Sequence, residues 1–136
     1  MLNLITIEGH LGRDPHVEMT QDGRQIARFS IATSSKWKDK TGEWHTHTDW
    51  HKIVVYREST IRWLKDVLKR GTQVRVKGAL TYAYWYDKYR QRRRTASIRV
   101  ADLQESVELM FPEDSGKESL SLEKTSPPSE ARDTSQ

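Results

Sequence analysis

The sequence predicts an all-β domain with one helix, followed by a polar tail. Apolar and polar residues alternate with the two-residue period of a strand in several segments, whereas one segment has the spacing of an amphipathic helix. The composition changes after Phe111: residues 112–136 contain six acids, three bases and no aromatic residue, and the first 111 residues contain 20 bases and 13 acids. We therefore expect a basic domain over 1–111 and a net-acidic, disordered tail over 112–136, because the tail has little apolar surface to bury.

The first three strands are predicted from alternation and from turn residues. Residues 2–7 place apolar side chains on both faces, which is typical of a central strand. Asp22-Gly23 is a hairpin signal, and it precedes a second predicted strand over residues 26–33. Residues 34–44 are polar and predict a loop with its turn at Thr41-Gly42, and residues 46–56 predict a third strand.

One helix is predicted between the third and fourth strands. Its apolar residues follow the i, i+3, i+6, i+7 spacing: Ile61, Leu64, Val67 and Leu68. Ser59 or Thr60 can cap its first turn, and Gly71 fits the position just after its last turn.

Two further strands complete the domain. Residues 73–77 alternate, and residues 80–86 and 95–103 predict the arms of a hairpin with its tip at 87–94. The predicted order is therefore three strands, a helix and two more strands. This is the order of the OB-fold, a five-stranded Greek-key barrel. Residues 106–110 also alternate, and could either form a last strand of this domain or extend a sheet at an interface.

Composition and motifs exclude several classes of protein. Cysteine is absent, so disulfides, thiolate metal sites and a cysteine nucleophile are excluded. Neither a membrane span nor a secretory signal is visible, so we expect a cytoplasmic protein. The sequence contains no Walker loop, no His-Glu-x-x-His and no Gly-x-Ser-x-Gly, so we expect no enzyme activity, no catalytic residue and no cofactor.

Aromatic residues are interleaved with bases along the middle of the chain. All five tryptophans and all five tyrosines lie between Trp37 and Tyr89. Single-stranded nucleic acid offers stackable bases and one charge per nucleotide, so this pattern indicates a surface that binds it without reading its sequence. The candidate phosphate contacts of these segments are Lys36, Lys38, Lys40, Lys52, Arg90, Arg92, Arg93 and Arg94. The last four lie within five residues and should repel one another unless phosphate is present.

Some of the aromatic and histidine residues are expected to have other roles. Trp63, off the apolar stripe of the helix, is expected to be structural, and two of the three tyrosines at 82, 84 and 86 are expected to pack in the protein. His45, His47, Asp49 and His51 alternate along one strand. Same-face strand positions are nearly 7 Å apart, so these four cannot converge on one ion without a bend, and we expect no metal site.

Four segments resemble bacterial single-stranded-DNA-binding proteins. They are residues 3–15 (NLITIEGHLGRDP), 26–34 (IARFSIATS), 48–56 (TDWHKIVVY) and 68–78 (LKRGTQVRVKG). They occur in the family's order and spacing, and the similarity covers about residues 3–110. The resemblance implies an OB-fold protein that coats single-stranded DNA in replication, recombination and repair, in the bacterial cytoplasm and nucleoid, usually as a homotetramer.

The resemblance also implies roles for individual residues. The family's stacking aromatics match Trp37, Trp50, Tyr56 and Trp85, and His51 matches a histidine at the subunit interface. Basic positions of the matched segments would contact phosphates, and they add Lys69, Arg70 and Lys77 to the candidates above.

The sequence departs from the family at its end and in its arginine cluster. The family's tail usually finishes in an acidic tip with Pro-Phe that docks partner enzymes, whereas this sequence ends in EARDTSQ, so docking by that route is not expected. We expect the net-acidic tail to compete weakly with DNA for the basic surface. Three other functions stay open: a dimeric primosome-type adaptor in replication restart, an RNA-binding OB module, and a metal hydrolase. The hydrolase would use His45, His47 and His51, and we expect metal analysis and a nuclease assay both to be negative.

Overall fold

A computed structural model describes residues 1–110; residues 111–136, with the predicted tail, lie outside the described residues. The described residues form seven strands and one helix. In chain order these are β1 (Ile5–Leu11), β2 (His16–Met19), β3 (Gln25–Lys38), β4 (Trp44–Val55), α1 (Glu58–Val67), β5 (Gln73–Tyr86), β6 (Arg92–Val100) and β7 (Ser106–Leu109).

Five of these strands close a barrel. β1 is antiparallel to both β3 and β5, β3 is antiparallel to β4, and β5 is antiparallel to β6. A short parallel pairing of β4 with β6 completes the circle. The helix lies between the third and fourth barrel strands along the chain, so the predicted OB-fold barrel is confirmed. β2 is added to β3, and β7 pairs with β5 as a last strand of the same chain.

The core fills the barrel and the space under the helix. Strand residues of one parity are buried, as in Val74 and Val76 of β5, while their neighbours point outward. Ile61 and Leu64 are fully buried on one face of α1, because residues three apart lie on one side of a helix. Trp63 is partly buried against this core, which confirms its structural role.

Two antiparallel hairpins extend beyond the barrel wall. We call residues 33–49 of β3 and β4 the first ribbon, and residues 81–97 of β5 and β6 the second ribbon. The first turns at Gly42, whose φ of +89° suits glycine, while the second turns between Asp87 and Gln91. Both ribbons are largely exposed, so most of their side chains are free to meet a ligand.

Several predicted strand boundaries are wrong. Residues 34–38 belong to β3 rather than to a loop, and residues 92–94 belong to β6 rather than to the hairpin tip. Neither segment has an apolar period, because each lies on a ribbon that is solvated on both faces. β1 starts at Ile5 instead of residue 2, and Asp22-Gly23 lies in the turn between β2, which was not predicted, and β3.

The predicted helix caps are also wrong. The N-cap is Arg57, without a side-chain hydrogen bond, and the chain leaves the helix at Leu68 in an extended conformation. Gly71 lies three residues further on, in a turn where the Thr72 amide donates to the Lys69 carbonyl. Its φ of +88° still needs glycine, but for this turn and not for the helix end. Within residues 1–110, no helix has the length and apolar character needed to cross a membrane.

Candidate nucleic-acid interface

Each ribbon has two faces, which are fixed by the alternation of its strands. The register of β3 with β4 is constant from Ala27–Val55 to Lys38–Trp44, and that of β5 with β6 is constant from Ala79–Arg99 to Tyr86–Arg92. Side chains of the same parity as the buried core residues therefore form an inner face, and the others form an outer face.

Trp50 lies on the outer face, at the base of the first ribbon. Its ring lies directly over Gly12, where an added Cβ would be only 2.5 Å from Cζ3 and 2.7 Å from Cη2. The absence of a side chain at Gly12 therefore creates the space in which the indole is seated. The indole Nε1 is buried and has no hydrogen-bond partner among the described residues.

Trp85 and Tyr56 are the other predicted stacking residues that point outward. Trp85 is 48% exposed, and its indole Nε1 donates to Thr95 Oγ1 at 2.9 Å, which fixes the ring on the second ribbon. Tyr56 is also 48% exposed, and it directly follows the buried Val55. Its amide donates to the Val100 carbonyl at 2.9 Å, so its backbone is held on the barrel.

A cleft of about 410 Å³ opens on the outer side, between the β1–β2 loop, the base of the first ribbon and Ser97. Its lining includes three cations, Arg13, Arg28 and Lys52. Arg28 pairs with Glu18 at 3.1 Å, and this hydrogen bond lowers the pKa of that carboxyl. No ion pair within residues 1–110 involves Arg13 or Lys52, so both can meet a phosphate.

Arg13 and Arg28 were missed by the sequence prediction. Arg28 could have been found, because it alternates with the apolar Ala27 and Phe29 and must therefore point out of the barrel. Arg13 carries no such signal, because it follows a glycine in a loop.

Trp37 lies on the inner face, unlike Trp50 and Trp85. Its ring stacks on that of its cross-strand neighbour His45, with centroids 4.5 Å apart and planes 21° apart. His45 Nε2 is in turn 2.8 Å from Asp39 Oδ2. Trp37 is 51% exposed, so one side of its ring remains open, but the structure does not bring it onto the face that carries the other tryptophans.

The histidines of β4 each have a partner of their own. His47 Nε2 is 2.9 Å from Asp49 Oδ1, and His51 Nε2 is 2.8 Å from Thr33 Oγ1. Burial lowers the pKa of His51, against a smaller opposite effect of the Asp49 charge.

The ligand atoms of Asp39, Glu43 and His45 lie within 4.8 Å of one another. Asp39, however, already accepts hydrogen bonds from the Thr41 amide and hydroxyl and from the Glu43 amide. The group is therefore satisfied as a turn, and it gives no reason to assign an ion.

The three tyrosines of β5 share the inner face of the second ribbon, and all are exposed. Tyr82 is 47% exposed, Tyr84 55% and Tyr86 71%. The expectation that two of them pack inside this chain is therefore wrong. The reason is that β5 runs past the end of the barrel at this point, so no core lies opposite these rings.

The arginines of β6 are divided between the two faces. Arg92 and Arg94 lie over the rings of Tyr84 and Tyr82, with Cζ 4.2 Å and 4.6 Å from the ring centroids. Arg93 points to the outer face, where its Nε is 2.9 Å from Asp87 Oδ2. This division separates Arg93 from its two neighbours, whereas Arg92 and Arg94 remain on the same face.

The remaining predicted phosphate contacts are spread around these surfaces. Lys36 and Lys38 are on the outer face of the first ribbon, and Lys38 Nζ lies 5.6 Å from the ring of Trp44, which is 66% exposed. Lys40 lies in the turn of the first ribbon, and Arg90, with a φ of +62°, lies in the turn of the second.

Lys69, Arg70 and Lys77 lie nearer the barrel. Lys69 and Arg70 are in the turn after the helix, where the Arg70 amide donates to Asp14 Oδ1 of the cleft at 2.8 Å. Lys77 is flanked by Thr6 of β1 and Ser106 of β7, so the structure places it on a different side of the barrel from the cleft.

Comparisons with known proteins agree with this architecture. The model of the Single-strand binding protein family matches residues 2–106. A single-stranded DNA-binding protein of Rhizobium meliloti (strain 1021) is 37% identical over 87 residues, which are 63% of this chain and 50% of that protein. This chain thus spans about half the length of that curated relative.

A solved structure is similar over most of the described residues. It is described as "Plasmodium falciparum SSB complex with ssDNA", and it superposes with a TM-score of 0.74 at 29% identity. The match covers 82% of this chain and 96% of the other.

Proposed function

This chain belongs to the single-strand binding protein family, and from that premise we propose that it binds single-stranded DNA without reading its sequence. The observation that carries the proposal is the outer face, which presents Trp50, seated over Gly12, and Trp85 on the second ribbon, together with the cations of the cleft. Aromatic rings offer every base the same stacking surface, and cations attract the backbone of any sequence. The structure thus combines the two interactions that this mode of binding needs.

We propose that the strand crosses the cleft and passes from the barrel onto the ribbons. Bases stack on Trp50, Tyr56 and Trp85, and on Trp37 where the strand crosses the edge of the first ribbon. Arg13 and Lys52 contact phosphates in the cleft, and Lys36, Lys38 and Arg93 do so along the outer faces of the ribbons. No bond is formed or broken, so the protein acts by binding and protecting the strand.

Tryptophan fluorescence tests the stacking residues. We expect poly(dT) to quench the fluorescence of the full chain, and Trp50→Ala and Trp85→Ala each to weaken binding by about 5- to 150-fold, the equivalent of one lost stack of about 1–3 kcal/mol. Trp63→Phe is the control, because Trp63 is packed against the core and should leave the affinity unchanged. An absence of quenching, or equal losses in all three variants, would refute the proposed site.

The dependence of affinity on salt tests the cleft. Each phosphate neutralised on a single strand contributes about −0.7 to the slope of log K against log salt. Lys52→Gln should therefore make the slope shallower by about 0.7. Lys65→Gln removes the same charge from the exposed side of the helix and should leave the slope unchanged. If both variants changed the slope equally, the effect would come from net charge and not from the cleft.

Competition between DNA and RNA of equal length distinguishes the alternative of an RNA-binding module. A protein that recognises RNA uses the 2′-hydroxyl and should prefer the RNA. The proposed surface offers stacking and charge, so we expect DNA to be bound at least as tightly.

We propose that the chain works as a homotetramer in replication, recombination and repair, in the cytoplasm. One edge of β1 pairs with β5, but its other edge meets β3 only at His10 and Leu11, so residues 5–8 offer a strand edge that lacks a partner in the described part of the chain. Leu4, next to this edge, is 51% exposed. His51 at a subunit interface remains a prediction. Native mass spectrometry distinguishes a tetramer from the dimer of a primosome-type adaptor.

A further inference from the structure

The inner face of the second ribbon carries aromatic rings and cations that the proposed path across the cleft does not use. We call Tyr82, Tyr84, Arg92 and Arg94 the tyrosine–arginine ladder. Its members point to the opposite side of the ribbon from Trp85 and Arg93, because their positions in the strands have the other parity. A base that stacks on Trp85 therefore cannot reach these rings from the same side.

The ladder is ordered before any ligand arrives. Each guanidinium lies over a tyrosine ring, with Cζ 4.2 Å from the Tyr84 centroid for Arg92 and 4.6 Å from the Tyr82 centroid for Arg94. Such contacts fix side chains that would otherwise lose entropy on binding. The rings are about half exposed, so they still offer a surface to a planar ligand.

The ladder also has a net positive charge without a counter-charge. Within residues 79–100 there are six basic residues and a single acid, Asp87, and this carboxylate pairs with Arg93 on the other face. In the described part of the chain, neither Arg92 nor Arg94 makes an ion pair. A guanidinium carries five N–H donors around its edge, and those that do not face the tyrosine ring can hold a phosphate.

These features fit a polyanion that has planar groups. A second copy of the chain would bring the same positive ladder, so like charges would oppose packing of the two ladders against each other. We propose that the tyrosine–arginine ladder is a second stacking surface for single-stranded nucleic acid, on the opposite side of the ribbon from Trp85. A bound strand passes around the second ribbon, with bases on both faces. This inference rests on the proposed function and extends it.

Photo-crosslinking tests where the strand lies. The full chain is mixed at low salt with an oligonucleotide of about 30 nucleotides that contains 5-iododeoxyuridine, a length well above the roughly 4–16 nucleotides that one OB-fold covers. After irradiation, crosslinked residues are identified by mass spectrometry. We expect crosslinks to Tyr82 or Tyr84 as well as to Trp50 or Trp85. Crosslinks confined to the outer face would overturn the ladder but leave the proposed function intact, whereas a failure to bind would overturn both.

Matched variants test the same point by affinity. Tyr82→Ala/Tyr84→Ala should weaken binding of the long oligonucleotide by about tenfold or more, and should leave binding of an oligonucleotide of about eight nucleotides unchanged. The control Tyr82→Phe/Tyr84→Phe keeps the aromatic rings, so it should bind both the long and the short oligonucleotide as tightly as the wild type does. Equal binding of the long oligonucleotide by the two double variants would overturn the proposal. So would a change in the number of chains per particle in the alanine variant, because the face would then be an interface between copies.

Discussion

Gly12 is expected to control DNA binding although it offers no side chain to the DNA. In Gly12→Ala the new Cβ would be 2.5 Å from Cζ3 of Trp50. Carbon atoms in contact are normally about 3.5–4.0 Å apart, so the indole must move by about 1 Å or turn away. The clash involves the far end of the ring, so the indole can move without a rearrangement of the backbone. We expect a modest loss of stability and a larger loss of binding.

The size of the binding loss follows from the stacking that Trp50 provides. One base stack is worth about 1–3 kcal/mol, so the Kd for poly(dT) should rise by up to about 5- to 150-fold. The rise should not exceed that of Trp50→Ala, since a displaced ring can lose no more than the whole stack. Fluorescence anisotropy with labelled oligonucleotide, well below the melting temperature of each variant, measures these constants.

A double-mutant cycle separates this mechanism from a general disturbance. Once Trp50 is replaced by alanine, the Cβ at position 12 has nothing to displace, so Gly12→Ala should then change the Kd by less than about twofold. The two substitutions should therefore be strongly non-additive. If their effects simply add, Gly12 acts independently of the indole and the reasoning is refuted.

Two further predictions concern the stability of the barrel and of its ribbons. In Gly9→Ala the new Cβ would clash with the backbone carbonyl of Ala32, where β1 crosses β3. We expect the free energy of unfolding to fall by about 1–3 kcal/mol and the melting temperature, measured by calorimetry, to fall by at least about 4 °C. An unchanged melting temperature would contradict this expectation. Acid should also weaken both ribbon turns. The hydrogen bond to His45 holds the pKa of Asp39 well below its ordinary value, and hydrogen bonds from the Gln91 amide and then from Arg93 lower the pKa of Asp87. Because these pKa values are lower in the folded state, the stability they give is complete above about pH 4 and is lost as the pH falls through them. Melting curves at pH 5 and pH 3 measure this loss of stability. The loss should be smaller in Asp87→Asn, which has no carboxylate to protonate at this position. If the variant lost as much stability as the wild type, Asp87 would not be a source of the acid sensitivity.

The sequence was sufficient to predict the barrel because its core strands alternate. In β5, for example, Val74 and Val76 are buried and Gln73 and Arg75 are not, so the pattern reports directly on the fold. The ribbons gave no such signal. Residues 34–38 continue β3 for five positions with neither face buried, and their polarity is therefore the same as that of a loop. The strand is formed here by its pairing with β4, which a local pattern does not contain.

The candidate site was predicted as a set of residues but not as an arrangement. The sequence and the family resemblance gave Trp37, Trp50 and Trp85 the same role, and the structure separates Trp37 from the other two. The difference follows from the alternation of side chains along a strand. Trp37 is an even number of positions from the buried Ile31 and therefore lies on the inner face. Trp50 is an odd number of positions from the buried Ile53 and therefore lies on the outer face. This count has meaning only once β3 is known to run without a break to residue 38.

The division of the arginines affects how the charge of the protein should be interpreted. A cation that already pairs with a carboxylate must exchange one partner for another, whereas an unpaired cation only releases water and ions of its own. Arg28 is paired with Glu18 and Arg93 with Asp87, so both should contribute less to the salt dependence than Arg92, which lies on a tyrosine ring. We therefore expect the steepness of the salt dependence to follow the number of basic side chains that lack a carboxylate partner, and not the total number of lysines and arginines.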